Sequence, residues 1–263
     1  MSIQIVSDLH LEAPRAYGRF DITPRAPYLA LLGDIGNVFD HWDEYRAFLL
    51  KMLRKFSLVL LVPGNHEPYH SDWPSIIITL DDFEDEVRRQ DHLGTFVLLD
   101  RVAHRLPREN TVILGCSLFS YISPDNAAFV RRRLHDFTQI DNWDPQAHTD
   151  AHVRDLVWLN LQVAEWGLTD YKIIILTHWS PRRLCVDNIE PDRATSGFCT
   201  DLSEELCFQS PSVRLWAFGH THNNCDYLVR RGRDVPPLRL LANQRGYHFA
   251  RADGFDPDKT VEL

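Results

Sequence analysis

Short apolar runs punctuate the chain at 3–7, 28–32, 58–62, 111–115, 172–177 and 213–218. Each is five or six residues long and rich in Val, Ile and Leu. That is the length and composition of strands buried on both faces, and it is too short for a stable helix. Helical periodicity fills the gaps. In 41–56, Trp42, Tyr45, Phe48, Leu49, Met52, Leu53 and Phe56 recur at three- and four-residue spacing, which gives one buried face. A weaker amphipathic helix is expected over 78–90 (Ile78, Leu80, Phe83, Val87). The longest, over 146–166, is expected to turn Val153, Leu156, Val157, Val163 and Ala164 to the core. Strands alternating with helices predict an α/β architecture rather than an all-β sandwich. Two segments have no period and read as working loops, 119–145 and 180–200, and Arg131-Arg132-Arg133 in the first reads as a solvated face.

Composition narrows the class. The 263 residues suffice for a substantial core and are expected to form a single domain. A formal charge of −9, from 28 Lys+Arg against 37 Asp+Glu, argues against gripping a long nucleic acid through its phosphates. No apolar run is long enough to span a bilayer, and residues 1–6 lack the basic and apolar regions of a signal peptide. The five cysteines (116, 185, 199, 207, 225) contain no C-x-x-C pair. A reducing, cytoplasmic setting with free thiols is therefore expected, Cys185–Cys199 being the one conceivable link. Oligomeric state leaves no signal. The 13 histidines do, because histidine is the commonest metal ligand and the near-neutral acid or base.

Their positions carry the chemistry. The apolar runs lead into Ser7-Asp8-Leu9-His10, Gly33-Asp34, Gly64-Asn65-His66-Glu67, His178 and Gly219-His220-Thr221-His222. Sites in open α/β sheets form beyond the carboxyl ends of the strands, where five runs here deliver Asp, Asn or His. Members two apart, as in Asp8-x-His10 and His220-x-His222, point the same way in extended backbone, whereas a turn can aim them at neighbouring ions. Two carboxylates, an amide oxygen and several imidazoles, with no thiolate, suit Mn2+, Fe2+/Fe3+, Zn2+ or Co2+.

D-x-H, G-D, G-N-H-E, H and G-H-x-H in this order resemble the calcineurin-like metallophosphoesterase superfamily, over residues 8–222. The resemblance implies a four-layer α-β-β-α sandwich of two mixed sheets flanked by helices, with a dinuclear metal centre at the strand ends. It implies Asp8, His10 and His222 on one ion, Asn65, His178 and His220 on the other, Asp34 bridging both, and His66 as the histidine that protonates the leaving group. The second motif lacks the G-D-x-x-D-R-G arginine of Ser/Thr phosphatases, and Asn37 stands where purple acid phosphatases place a tyrosine ligand. Residues 7–12, 113–120, Asp136-Phe137 and 243–247 instead resemble a small phosphodiesterase-like branch.

Two such ions lower the pKa of a shared water, giving a hydroxide for in-line attack on phosphorus. The expected activity is hydrolysis of small phosphodiesters, cyclic nucleotides foremost, with a phosphomonoesterase or a nuclease as the alternatives. Glu12 and Glu67 are either partners that fix a histidine tautomer or surface carboxylates. Trp42, Tyr69, Trp179 and Tyr247 are either a stacking platform for a base or packing. Histidines 41, 70, 92, 104, 135, 148, 152 and 248 are expected mostly at the surface.

Overall fold

The apolar runs become the strands of two stacked sheets, because residues alternating along each run need an apolar layer on either side. The computed structural model describes residues 2–183 and 193–262. Its elements are β1 (Ser2–Val6), β2 (Tyr28–Leu32), α1 (Val38–Leu53), β3 (Leu58–Val62), α2 (Trp73–Arg88), β4 (Thr95–Leu98), β5 (Val102–Leu106) and β6 (Thr111–Cys116). There follow α3 (Pro124–Arg131), α4 (Asp136–Gln139), α5 (Pro145–Trp166), β7 (Lys172–Thr177), α6 (Leu206–Gln209) and β8 (Val213–Phe218). The chain closes with β9 (Cys225–Val229), β10 (Leu238–Ala242), the hairpin of β11 (Gly246–Tyr247) and β12 (Ala250–Arg251), and β13 (Thr260–Glu262).

One sheet has the order β13-β1-β2-β3-β4, with β1 to β4 parallel and β13 antiparallel at its edge. The other runs β5-β6-β7-β8-β10-β9, parallel through its centre and antiparallel at both edges. Between them lies a sealed layer in which Ile5, Ala30, Leu32 and Leu60 belong to the same core as Ile174, Leu176, Leu215 and Leu241. The alternate residues of the first sheet (Leu29, Leu31, Val59, Leu61) pack with Tyr45, Phe48, Leu49 and Met52 of α1 and with Leu80 and Phe83 of α2. Those of the second (Leu114, Ile173, Ile175, Trp216) pack with Leu159 and Val163 of α5 and with Phe208 of α6. The result is the four-layer α-β-β-α sandwich of two mixed sheets. Among the described residues no helix is long and apolar enough to cross a membrane.

Three expectations change. Segment 119–145 is not a plain loop: it carries α3 and α4, which close over a small core of Ile122, Val130, Leu134 and Phe137. Pro124 and Pro145 start helices instead of breaking them, because a proline at the first helical position gives up an N–H that has no partner there anyway. In α2 the buried stripe is Ile76, Leu80, Phe83 and Val87, with Ile78 facing out; the helix begins at Trp73, capped by the Asp72 carboxylate.

The third change is in α5. Val153, Val157 and Ala164 are exposed and Leu156 is only partly buried, while His148, Ala151, His152, Asp155, Leu159 and Val163 face inward. A polar inward face is tolerated because each group has a backbone to hold. Asp155 Oδ2 accepts from the Leu118 N–H at 2.9 Å, and Asp155 Oδ1 accepts from Arg101 at 2.8 Å. His152 Nδ1 donates to the Leu118 carbonyl at 2.9 Å, and His148 Nε2 accepts from the Ser120 N–H at 3.0 Å. These bonds fix a turn in which Leu118 and Phe119 both have positive φ (78° and 52°). The Ser117 carbonyl of that turn in turn receives the N–H groups of His178 and Trp179.

Candidate metal centre

Parallel strands bring their carboxyl ends to one edge, and the strand-end residues meet there. Asp8 and His10 follow β1, Asp34 follows β2, Asn65, His66 and Glu67 follow β3, His178 follows β7, and His220 and His222 follow β8. The turns are sharp. Asp8, His10, Asp34, His220 and His222 all have φ between 46° and 71°, so the paired motifs aim their side chains by turning and not by running extended. Gly64 makes the crowding possible: a Cβ there would meet the carboxylate of Asp34 and lie 2.8 Å from the ring of His178.

Two groups of donors result. Asp8, His10 and His222 offer ligand atoms within 4.8 Å of one another, and Asp34, His178 and His220 do the same. In the first, His10 Nε2 and His222 Nε2 lie 3.0 Å apart, with Asp8 Oδ1 at 3.3 Å from the latter. In the second, His178 Nε2 is 3.1 Å from Asn65 Oδ1 and 3.5 Å from Asp34 Oδ1. Asp34 lies between the groups, its other oxygen 3.9 Å from both His10 Nε2 and His66 Nε2. His220 Nε2 is buried with no hydrogen-bond partner. Lone pairs of imidazoles and carboxylates that converge, one of them orphaned, fit a pair of cations.

Outer partners orient the donors. His178 Nδ1 donates to the Leu32 carbonyl at 2.7 Å, which leaves Nε2 free as a ligand. Asp136 accepts from Asn65 Nδ2 at 2.9 Å and so turns the amide oxygen toward His178. Glu12 Oε1 lies 3.2 Å from His10 Nδ1 and 2.9 Å from His66 Nδ1, holding both rings at once. Asp8 accepts from the Ser7 hydroxyl and from the His220 N–H. Glu67 is wholly buried: it accepts from the N–H groups of Gly64 (2.7 Å), Ile35 (2.9 Å) and Asp34 (3.0 Å) and from the Tyr45 hydroxyl (3.1 Å). It is thus an internal brace for the second and third motifs, while Glu12 is the tautomer-fixing carboxylate.

Electrostatics follow the geometry. Burial alone would raise the Asp34 and Asp8 carboxyls, but the surrounding histidines outweigh it and hold both below the usual range. Burial lowers His10 and, with His178 beside it, His220, keeping both imidazoles neutral and able to ligate. Burial also opposes a charge on His66 and on His178, yet Asp34 pushes both up to about 9, helped by Glu12 at His66 and by Asp8 at His178. Burial and the Asp34 charge push Glu67 up to about 7.

A cleft of about 220 Å3 opens onto the cluster, lined in part by Asp34, Asn65, His66, Arg133, Phe198 and Tyr247. All eight strand-end residues expected at the site therefore surround one centre. Sequence reasoning misses the role of Asp136, which enters there only as part of a motif; Arg133 is exposed, as expected of a solvated face, and it also borders the cleft. His148 and His152 are buried and so depart from the surface reading, whereas His135 is exposed as expected, at the rim of the cleft. Of the four aromatics, Trp42 packs against Tyr45 and Phe83, and Trp179 is buried behind His220 at 4.6 Å between ring centroids. Tyr69 stacks on His66 at 4.3 Å, and Tyr247 stacks on His10 at 4.1 Å. Cys116, Cys199 and Cys207 are free thiols, whereas Cys185 lies outside the described residues, as does the 184–192 part of 180–200.

Known proteins share this frame. An uncharacterised protein of Acanthamoeba polyphaga mimivirus is 28% identical over an alignment covering 99% of this chain and 96% of its own length. The crystal structure of phosphopantetheinyl hydrolase from Mycobacterium tuberculosis superposes with a TM-score of 0.66 at 17% identity, covering 94% of this chain and 89% of the other. A dimetal phosphatase from Danio rerio does so with a TM-score of 0.52 at 14% identity, covering 92% and 86%. Residues 1–224 match the calcineurin-like phosphoesterase family, and with that span, which contains every strand-end motif, the chain belongs to it.

Proposed function

We propose that this calcineurin-like phosphoesterase is a single-domain, cytoplasmic, dinuclear-metal-dependent phosphodiesterase for small phosphodiesters, cyclic nucleotides (3′,5′ or 2′,3′) foremost. Asp8, His10 and His222 would hold one ion and Asn65, His178 and His220 the other, with Asp34 lying between the two groups. The oxygen and imidazole donors suit manganese, iron or zinc. When bound, the ions supply Lewis acidity toward phosphoryl oxygens and lower the pKa of water.

The chain's own groups do the rest. Glu12 accepts from His66 Nδ1 and sets the ring so that Nε2 faces the cleft, where it is the source of the proton for the departing oxygen. Such a donor matters most for poor leaving groups, such as a ribose hydroxyl. Arg133 is the one guanidinium among the described residues lining the cleft, which favours the single charge of a diester over the double charge of a monoester. This last observation carries the reading. Phe198, 37% exposed and 5.2 Å from the His220 ring centroid, offers an apolar wall to a base. The −9 charge supports a small substrate over a long polyanion.

The test is a substrate panel on metal-reconstituted protein: both classes of cyclic nucleotide, a bis-aryl diester, an aryl monoester and a single-stranded oligonucleotide. Diester turnover at least about tenfold above monoester is expected. Turnover of the monoester alone, or of the oligonucleotide alone, overturns the reading in favour of a phosphomonoesterase or a nuclease.

A further inference from the structure

His66 Nε2 does not face the cleft alone. The Tyr247 hydroxyl stands 3.1 Å from it, and both residues line the cleft beside Asp34. The phenol is held in place. Its ring stacks on His10 with centroids 4.1 Å apart and planes at 27°, and lies parallel to Phe249 at 5.3 Å and 3°. The backbone just before it is pinned where the Arg245 N–H donates to the Ser7 carbonyl, and Gly246 turns the chain with φ at 74°.

A protonated phenol donates one hydrogen and accepts on its oxygen. Glu12 occupies His66 Nδ1, so the Tyr247 contact falls to Nε2, the atom that must deliver the proton. When Nε2 bears that proton it donates to the phenol oxygen, and the phenol O–H is freed toward the cleft.

We propose that Tyr247 is a catalytic residue that relays the His66 proton to the leaving group. As the bond from phosphorus to the departing oxygen breaks, the Tyr247 O–H bond gives its proton to that oxygen. The His66 Nε2–H bond gives its proton to the phenol oxygen in the same step. The attacking hydroxide stays on phosphorus, so the products are a singly protonated phosphate monoester, an alcohol, a neutral His66 and an unchanged Tyr247, and atoms and charge balance. The inference rests on His66 as the proton donor. It also carries the active site 23 residues past the stretch that defines the family, which ends at residue 224, into the β11–β12 hairpin.

The test uses metal-loaded protein and a series of aryl methyl phosphodiesters whose leaving phenols rise in pKa from nitrophenol to phenol. Tyr247→Phe keeps the ring and its stacking. It should hold metal content and the nitrophenol rate within about threefold of wild type, yet lose about 10- to 100-fold at the phenol end. The His66→Ala/Tyr247→Phe double variant should be no slower than His66→Ala, because the two groups act in one path. Equal loss across the series, no loss at the phenol end, or additive losses in the double variant overturn the relay. If His66→Ala itself shows no dependence on the leaving group, the His66 reading fails and the relay with it. If only Tyr247→Phe lacks that dependence, the His66 reading stands and the relay alone fails.

Discussion

The two halves of the cluster are built differently. Asp8, His10 and His222 form an outer half. The His222 side chain is 23% exposed, and His10 is oriented by the Glu12 carboxylate, which is shared with the proton donor. Asn65, His178 and His220 form an inner half. There the His178 ring is fully buried and held by a backbone carbonyl, and Trp179 and Phe198 wall His220 at 4.6 and 5.2 Å. The difference separates two jobs. The inner half is oriented by a strand carbonyl at Leu32 and by the buried Asp136 carboxylate, which suits firm retention of an ion. The outer half is set by Glu12, which also holds His66, so on the proposed roles ion binding and proton delivery would be coupled there.

The largest effect is expected where the halves join. Asp34→Ala should abolish at least about 10^3-fold of activity and reduce metal content at both positions, read by elemental analysis beside kinetics. Full occupancy of either ion would show that the halves are independent. Next is the inner brace. Glu67→Gln sets an amide N–H against backbone N–H donors and should cost about 2–4 kcal/mol in urea unfolding. A cost below about 0.5 kcal/mol would remove Glu67 from that role. For the two ions themselves, chelation should proceed in two phases, the outer ion leaving first. Glu12→Gln should speed only the first phase, by about tenfold; a single phase would erase the distinction between halves.

The smallest effect lies behind the inner half, in α5. Burial pushes His148 down to about 3, against about 6.5 for an exposed histidine. Between those pH values the unfolded chain binds a proton that the folded one refuses, so this histidine makes stability rise with pH up to about 6.5 and fall as pH drops toward 3. The slope is about 1.4 kcal/mol per pH unit well inside that window. His148→Gln should flatten the stability difference between pH 5 and 7 in metal-free protein; an unchanged slope would place the titration elsewhere.

The parts legible in the sequence share a cause. Strands β1, β2, β3, β6, β7 and β8 are sealed on both sides, so they had to be nearly continuous apolar runs. Strand ends in parallel sheets meet by topology alone, which is why Asp8, Asp34, Asn65, His178 and His220 could be placed together before any coordinates. Edge strands β5 and β9 bury only part of their residues and left no such run. The inward face of α5 was misread because periodicity counts apolar residues, and that face carries His148, His152 and Asp155 instead. Asp136 and Tyr247 meet partners 71 and 181 residues away, a separation that no local pattern encodes.

The left-handed backbone at Asp8, His10, Asp34, His220 and His222 has an evolutionary consequence. Apart from glycine, the residue types that tolerate this conformation best are Asn, Asp and His, all of which can also ligate a metal. Most single substitutions at these sites lose a ligand and strain the turn together, so the centre is costly to lose by drift. The changes that leave the turns relaxed are mainly exchanges among these same types and glycine. Asn, Asp and His differ in hardness and charge. Lineages could therefore wander among metals while the five turns stay as they are.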